Sequence, residues 1–408
     1  MNHVVAVECR RCGRRYAPED VTYTCPVHDG DDDGVSGVLD VRYDDDGLRE
    51  HVETEGVPDS PADLWAFESF LPVGAGRTVS LGAGGTPLHE APRLSDRLDT
   101  TVRIKDEAGN PTGASKDRGT AVVVTRAVQA GHDVVTCAST GNAAASLAGY
   151  AARAGLDCQI FVPADIPDGK AVQPRLYGAD VLAVEGTYED AYECCRTVSA
   201  DRGWYNRSAA LNPYAVEGTR TLGFELGRQA PTADWVVMPM GNGCSLAAVW
   251  KGLAEFARLG LLADPPRMLG VQAAGATAIY DRFVGEDEPG PERATGTAAD
   301  SIDVTGPHNA ARACRALEES GGDAVVVDDD SILRAQRLVG ESEGLFVEPA
   351  SAAAIAGVER ARETGIVGVD DEVVVVATGT GLKDTATAER AVGPVRTVSA
   401  DPDELPEL

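Results

Sequence analysis

Lysine is scarce in this 408-residue chain, where five lysines stand against 31 arginines. One of the five, Lys116, lies in Asn110-Pro111-Thr112-Gly113-Ala114-Ser115-Lys116-Asp117-Arg118-Gly119, a turn rich in Pro and Gly that opens onto a helical pattern. Arginine cannot replace lysine in one role: a desolvated amine condenses with an aldehyde, and a guanidinium does not. The competing reading is a surface lysine at a helix start. That is a poor place for a cation, because the helix dipole is positive there. Lys116 is therefore read as a nucleophile.

Three further turns carry groups suited to anions and ring edges. Ser139, Thr140, Gly141 and Asn142 end an apolar strand and begin a helix, whose free N–H groups can hold a carboxylate or phosphate; plain capping by Ser and Thr is the alternative. Gly241, Asn242, Gly243, Cys244 and Ser245 again follow a strand and open a helix, and the two glycines let backbone N–H groups approach an anion closely. No Walker lysine and no GxGxxG accompany them, so a monophosphate fits better than a nucleotide. Thr378-Gly379-Thr380-Gly381-Leu382-Lys383-Asp384 is a third strand end, where Thr378 could set a hydroxyl against a ligand ring. An amine, a phosphate cradle, a carboxylate site and a neutral hydroxyl together suit pyridoxal 5'-phosphate and a small-molecule amino-acid substrate.

Near the N-terminus, Cys9-Arg10-Arg11-Cys12 and Cys25-Pro26-Val27-His28 are separated by twelve residues. Each pair can grip one tetrahedral metal from a tight turn, so Cys9, Cys12, Cys25 and His28 are candidate ligands of a closed, structural zinc site. The alternative is a ribbon that folds without metal. The acidic stretch 29–33 reads as a solvated loop.

These groups need a scaffold that brings strand ends together. Strands are expected at Val102–Asp106, Val134–Ala138, Cys158–Val162, Trp235–Met238, Met268–Gln272, Ala324–Val327 and Val373–Ala377. Helices are expected from Lys116 to about Gly131, Gly141 to Gly155, Ala171 to Gly178, Tyr188 to Arg202, Tyr214 to Gly227 and Leu246 to Gly260. Apolar strands alternating with helices indicate parallel sheets covered on both faces. Residues 36–75 are weakly patterned apart from a short amphipathic helix over Asp63–Phe70. The net charge of −29 is dispersed along the chain. With scarce lysine, this reads as solvation in a salt-rich cytoplasm and argues against nucleic acid or an anionic membrane as partner. No apolar run approaches the roughly 18 residues of a membrane span, and the expected location is cytoplasmic. Isolated cysteines such as Cys137 and Cys158 read as buried free thiols.

At this point the sequence resembles the fold-type-II pyridoxal-phosphate family, most closely its threonine synthases. The resemblance runs through five motifs in order: Asn110–Gly119, Ser139–Asn142, Gly241–Ser245, Glu348-Pro349-Ala350-Ser351-Ala352 and Thr378–Asp384. It implies an α/β fold of two doubly wound parallel-sheet domains with a small zinc-ribbon-like segment. The expected division is 1–35 for the ribbon, 60–109 with 206–395 for a large cofactor domain, and 110–205 for a small mobile substrate domain. A homodimer is the expected assembly. By resemblance, Lys116 holds the cofactor covalently and moves protons, Asn142 bonds its ring oxygen and Thr378 faces its pyridine nitrogen. Gly241, Asn242, Gly243, Cys244 and Ser245 take its phosphate, and Ser139, Thr140 and Gly141 take the substrate. The implied reaction converts O-phosphohomoserine and water to threonine and phosphate. The chain departs from that pattern at Ser115, Thr380, Ala210 and Ala215, where the family carries Phe, His, Ser and Arg. The last two changes fall on the substrate phosphate. The rival is therefore a related β-eliminase or β-replacing enzyme, such as a threonine or serine dehydratase or a cysteine or cysteate synthase-like enzyme. A non-catalytic sensor that binds the cofactor or an amino acid is a third reading.

Overall fold

The computed structural model describes residues 3–20, 23–28, 37–285 and 296–400. The acidic stretch 29–33 lies outside them. Among the described residues, thirteen strands are numbered in chain order: β1 (Val4–Cys9), β2 (Arg15–Tyr16), β3 (Leu39–Tyr43), β4 (Leu88–Glu90), β5 (Thr101–Asp106), β6 (Val134–Ala138), β7 (Asp157–Pro163), β8 (Asp180–Val184), β9 (Tyr205–Asn206), β10 (Trp235–Pro239), β11 (Arg267–Ala273), β12 (Asp323–Val327) and β13 (Glu372–Ala377). They form three sheets. The largest has the order β12-β11-β10-β13-β5-β4 and is parallel except for the edge strand β4. A four-stranded sheet, β8-β7-β6-β9, is wholly parallel. The third, β2-β1-β3, is antiparallel and carries the N-terminal cysteines.

The parallel strands form where the sequence places runs of Val, Ile and Ala without alternation, because both faces are covered by helices. Every side chain of β10 is buried, and so are Val373 to Ala377 of β13. Where helices must approach closely, glycine makes the contact. A Cβ on Gly218 of the Pro213–Gln229 helix would lie 2.1 Å from the Arg118 carbonyl oxygen, and one on Gly119 would lie 2.6 Å from that of Ala215. The Lys116–Gln129 helix is thereby set hard against the Pro213–Gln229 helix.

Two sequence expectations are revised. The segment expected to be an amphipathic helix is a 3-10 helix, Leu64–Phe70. Its buried residues Leu64, Phe67 and Phe70 recur every third position, the 3-10 period, and Phe67 and Phe70 meet the Phe224 ring at 5.3 and 5.4 Å. The weak patterning of 36–75 also conceals β3 and an α-helix, Asp45–Glu55. That helix buries only Leu48, and it begins where the Asp44 carboxylate accepts a hydrogen bond from the Asp46 N–H at 3.2 Å. A helix so polar has no apolar stripe to read.

Candidate functional site

Four loops follow the carboxyl ends of β5, β6, β10 and β13, where parallel sheets bind ligands. The loop after β5 carries the lysine motif. It is fastened to the loop after β13 by a short antiparallel bridge, with Ser115 N donating to the Thr378 carbonyl at 2.9 Å and Thr380 N to that of Gly113 at 3.0 Å. On its other side the 378–381 loop is held by Glu348 N donating to the Gly379 carbonyl at 3.0 Å and Gly381 N to that of Phe346 at 2.8 Å. Glycine is required there: a Cβ on Gly379 would come within 2.8 Å of the Glu348 carboxylate, and one on Gly381 within 2.4 Å of the Phe346 ring.

Lys116 is the first residue of its helix and its Nζ donates to Ser245 Oγ at 3.0 Å. Burial lowers its pKa, and the Arg207 cation lowers it further. The other four lysines are committed elsewhere. Lys105 is fully buried against Glu225 at 2.7 Å, Lys251 bridges Asp40 and Glu217 at 2.9 and 2.6 Å, and Lys170 pairs with Asp300. Lys383 donates to Asn142 Oδ1 at 2.9 Å. Lys116 alone presents its amine to nothing more polar than a hydroxyl, which is the state a carbonyl-directed nucleophile needs.

Ser245 belongs to the loop after β10, so Lys116 lies beside the glycine-rich turn. The Cys244–Arg258 helix starts there from Gly243, at φ +83°, and no side chain caps it. A Cβ on Gly243 would lie 2.9 Å from that of Ala313, and one on Gly241 would lie 3.0 Å from the Ser301 carbonyl oxygen. The turn is thus bare backbone at a positive helix end, fitted to a phosphate. Asn242 Oδ1 accepts from His308 N at 3.3 Å, and Cys244 is held near the Ala209 carbonyl at 3.6 Å. Burial raises the Cys244 thiol, which stays neutral.

The loop after β6 reaches the same place. Its helix begins at Asn142 with no side-chain cap, so Ser139 and Thr140 do not cap it; Ser139 Oγ accepts from Gly141 N at 3.3 Å instead. Space is open above Gly141, where a Cβ would meet nothing within 4 Å. Asn142 Nδ2 donates to Glu348 Oε2 at 2.8 Å, and Thr378 Oγ1 donates to Glu348 Oε1 at 2.6 Å. Thr378 also lies 3.1 Å from Ser351 Oγ. Residues singled out on two separate turns, Asn142 and Thr378, therefore converge on one carboxylate. Burial raises the pKa of Glu348, opposed by its hydrogen bonds from Thr378 and Asn142.

Glu348 and Lys383 lay within recognised motifs, yet the sequence assigned them no role. Their signal was a charged residue within two positions of Pro349 or Gly381 at a strand or helix end. Arg207, buried beside Lys116, had no such signal.

Away from these loops, Cys9, Cys12, Cys25 and His28 bring their ligand atoms within 4.8 Å of one another. Cys12 and Cys25 sulfurs are 4.0 Å apart, and Cys9 Sγ is 3.6 Å from His28 Nδ1. Each pair sits on a tight turn, closed by Gly13 N to the Cys9 carbonyl at 2.8 Å and by His28 N to that of Cys25 at 2.9 Å. Three thiolates and an imidazole at these spacings suit a tetrahedral metal about 2.3 Å from each sulfur.

Comparison with known proteins agrees with this geometry. The family described as pyridoxal-phosphate dependent enzyme matches residues 79–379. A threonine synthase of Methanocaldococcus jannaschii is 38% identical over 94% of each chain. One of Mycobacterium leprae is 41% identical over 84% of this chain and 94% of its own. Among solved structures, threonine deaminase isoform 2 of Solanum lycopersicum superposes with a TM-score of 0.62 at 24% identity, over 75% of this chain and 87% of its own. Maize serine racemase gives 0.63 at 20%, over 75% and 91%. At those identities the superpositions establish the fold alone.

A pH titration tests the isolation of the Lys116 amine. After reductive methylation with isotope-labelled formaldehyde in the ligand-free protein, the Lys116 signal should titrate below the ordinary lysine value of about 10.4. Burial penalises the charged form, so the neutral amine persists to lower pH. A midpoint at or above the ordinary value would contradict the site's geometry.

Proposed function

The chain belongs to the family of pyridoxal-phosphate-dependent enzymes and is a threonine synthase-like lyase; on that premise we propose that it converts O-phosphohomoserine and water to threonine and phosphate. The observation that carries the cofactor assignment is the Lys116 amine, set against Ser245 at the head of an uncapped, glycine-lined helix. The end-to-end similarity to curated threonine synthases supports the reaction.

In this reading Lys116 holds pyridoxal phosphate covalently. Backbone N–H groups of Gly241, Asn242, Gly243, Cys244 and Ser245 take its phosphate, with the Ser245 hydroxyl. Asn142, which gives one amide N–H to Glu348, would offer the other to the ring oxygen, and the Thr378 hydroxyl, which donates to Glu348, would face the ring nitrogen. The bound cofactor supplies an electron sink for bonds broken at the substrate's Cα and Cβ. A neutral hydroxyl partner keeps that sink weaker than a carboxylate would. Ser139, Thr140 and Gly141 bind the substrate carboxylate at the start of the Asn142–Ala154 helix, and the small sheet β6 to β9 carries them as a unit over the cleft. The Lys116 amine would also be the group placed to move protons at the substrate's Cα and Cβ.

The rival, a β-eliminase or β-replacing enzyme, draws support from Ala210 and Ala215, both buried and both unable to hold a phosphate. Product analysis with O-phosphohomoserine, phosphoserine and threonine in parallel discriminates between them. Threonine and phosphate should form from O-phosphohomoserine. Release of 2-oxobutyrate from threonine, with no turnover of O-phosphohomoserine, would reverse the assignment.

For the N-terminal sheet we propose one structural zinc per chain on Cys9, Cys12, Cys25 and His28. Four protein ligands close the tetrahedron and leave no position for a reacting water. Metal analysis of native protein should give one equivalent of zinc. Its removal by chelator should lower the unfolding midpoint and leave the cofactor absorbance of still-folded protein unchanged. Protein purified without zinc and equally stable would contradict the site.

A further inference from the structure

Arg207 is 3% exposed, yet no carboxylate pairs with it among the described residues. The other fully buried arginines are neutralised: Arg118 by Glu107 and Glu225, Arg220 by Glu217 and Glu255. Arg207 is held only by neutral oxygens. Its Nε donates to Thr120 Oγ1 at 3.0 Å and its Nη2 to the Lys116 carbonyl at 3.3 Å, and its Nη1 has no partner among the described residues. The thiols and the phenol around it do not supply a paired counter-charge. Burial pushes the Cys137 thiol up to about 12 and raises Cys244 and Tyr188, so all three are neutral. Asp117 attracts Arg207 without touching it: its two oxygens accept from Thr112, at 2.7 and 2.6 Å. A buried guanidinium without a counter-ion is unfavourable unless a ligand provides one.

The fold places this cation at the cleft. Arg207 follows β9, which lies beside β6 with Thr136 opposite Asn206, so it leaves the small sheet at the same end as the Ser139–Asn142 loop. Its bond to the Lys116 carbonyl sets it beside the first turn of the lysine helix. The proposed reaction brings three anionic groups here: the cofactor phosphate, the substrate carboxylate and the substrate phosphate. The first has the 241–245 turn and the second has the 139–142 helix start. The third has no receptor at Ala210 or Ala215. Ala215 is packed so tightly on the lysine helix that its carbonyl oxygen would lie 2.6 Å from a Cβ on Gly119.

Resting on the proposed reaction, we propose that Arg207 binds the phosphate group that the substrate loses, and so sets specificity for a phosphorylated hydroxy-amino acid. A guanidinium suits this role because its planar fork meets two phosphate oxygens at once.

The test compares wild type with Arg207→Met and Arg207→Lys as holoenzymes, using inorganic phosphate as the probe and O-phosphohomoserine as the substrate. In Arg207→Met, the inhibition constant for phosphate and the KM for O-phosphohomoserine should both rise about 10- to 100-fold. The kcat should change less, and cofactor content and affinity should match wild type. Arg207→Lys, which keeps the charge and loses the fork, should fall between the two. Unchanged phosphate inhibition in either variant would overturn the proposal. So would a parallel loss of cofactor affinity, which would assign Arg207 to the cofactor phosphate. If Arg207→Met does not fold, Arg207→Lys decides: wild-type phosphate inhibition there overturns the proposal. A wild-type enzyme that binds phosphate through Arg207 without turning over O-phosphohomoserine would reject the assigned reaction and leave the anion site standing.

Discussion

The placement of Lys116 depends on a buried ion quartet two residues further along the same helix. Arg118 reaches Glu107 at 2.7 Å and Glu225 at 2.6 Å, and Lys105 reaches Glu225 at 2.7 Å, all with no exposed surface. Two cations and two anions balance. Burial opposes the charge on Glu225, yet Arg118 and Lys105 hold its pKa at about 2. Glu107 is likewise opposed by burial and lowered by Arg118. Residues two apart on a helix face nearly opposite ways, so Arg118 anchors in the core while Lys116 looks into the cleft. The quartet joins β5, the Pro213–Gln229 helix and the lysine helix into one block. Removing any one member would leave an uncompensated buried charge, at a cost of about 3–5 kcal/mol.

A second network ties the N-terminal sheet to that block. Asp40 of β3 pairs with Lys251, which also pairs with Glu217, and Tyr43 donates to Glu217 at 2.8 Å. Lys251 lies on the Cys244–Arg258 helix, whose first turn is the phosphate-fitted loop. The cysteine-bearing sheet therefore braces the helix whose first turn is proposed to take the phosphate.

How far the sequence could be read follows from how each feature is encoded. Strands such as Val134–Ala138 and helices such as Tyr188–Arg202 were legible to the residue, because burial on both faces leaves an unbroken apolar run and burial of one stripe leaves a periodic pattern. The lysine and the glycine turns were legible because rare residue types at strand ends are conspicuous. The Asp45–Glu55 helix was not, since its side chains are mostly solvated, and neither was half-buried β8. Glu348 as the meeting point of Asn142 and Thr378, and Arg207 beside Lys116, follow from contacts across 206, 30 and 91 positions of sequence, which no local pattern carries.

The central claim is that Lys116, alone among five lysines, is free to hold the cofactor. Borohydride reduction of the native holoenzyme, followed by peptide mapping, tests it most directly. The cofactor should be fixed on the peptide containing Lys116, with loss of the visible-edge absorbance. A label on Lys383, the other cleft lysine, or on any lysine but Lys116, would contradict the account.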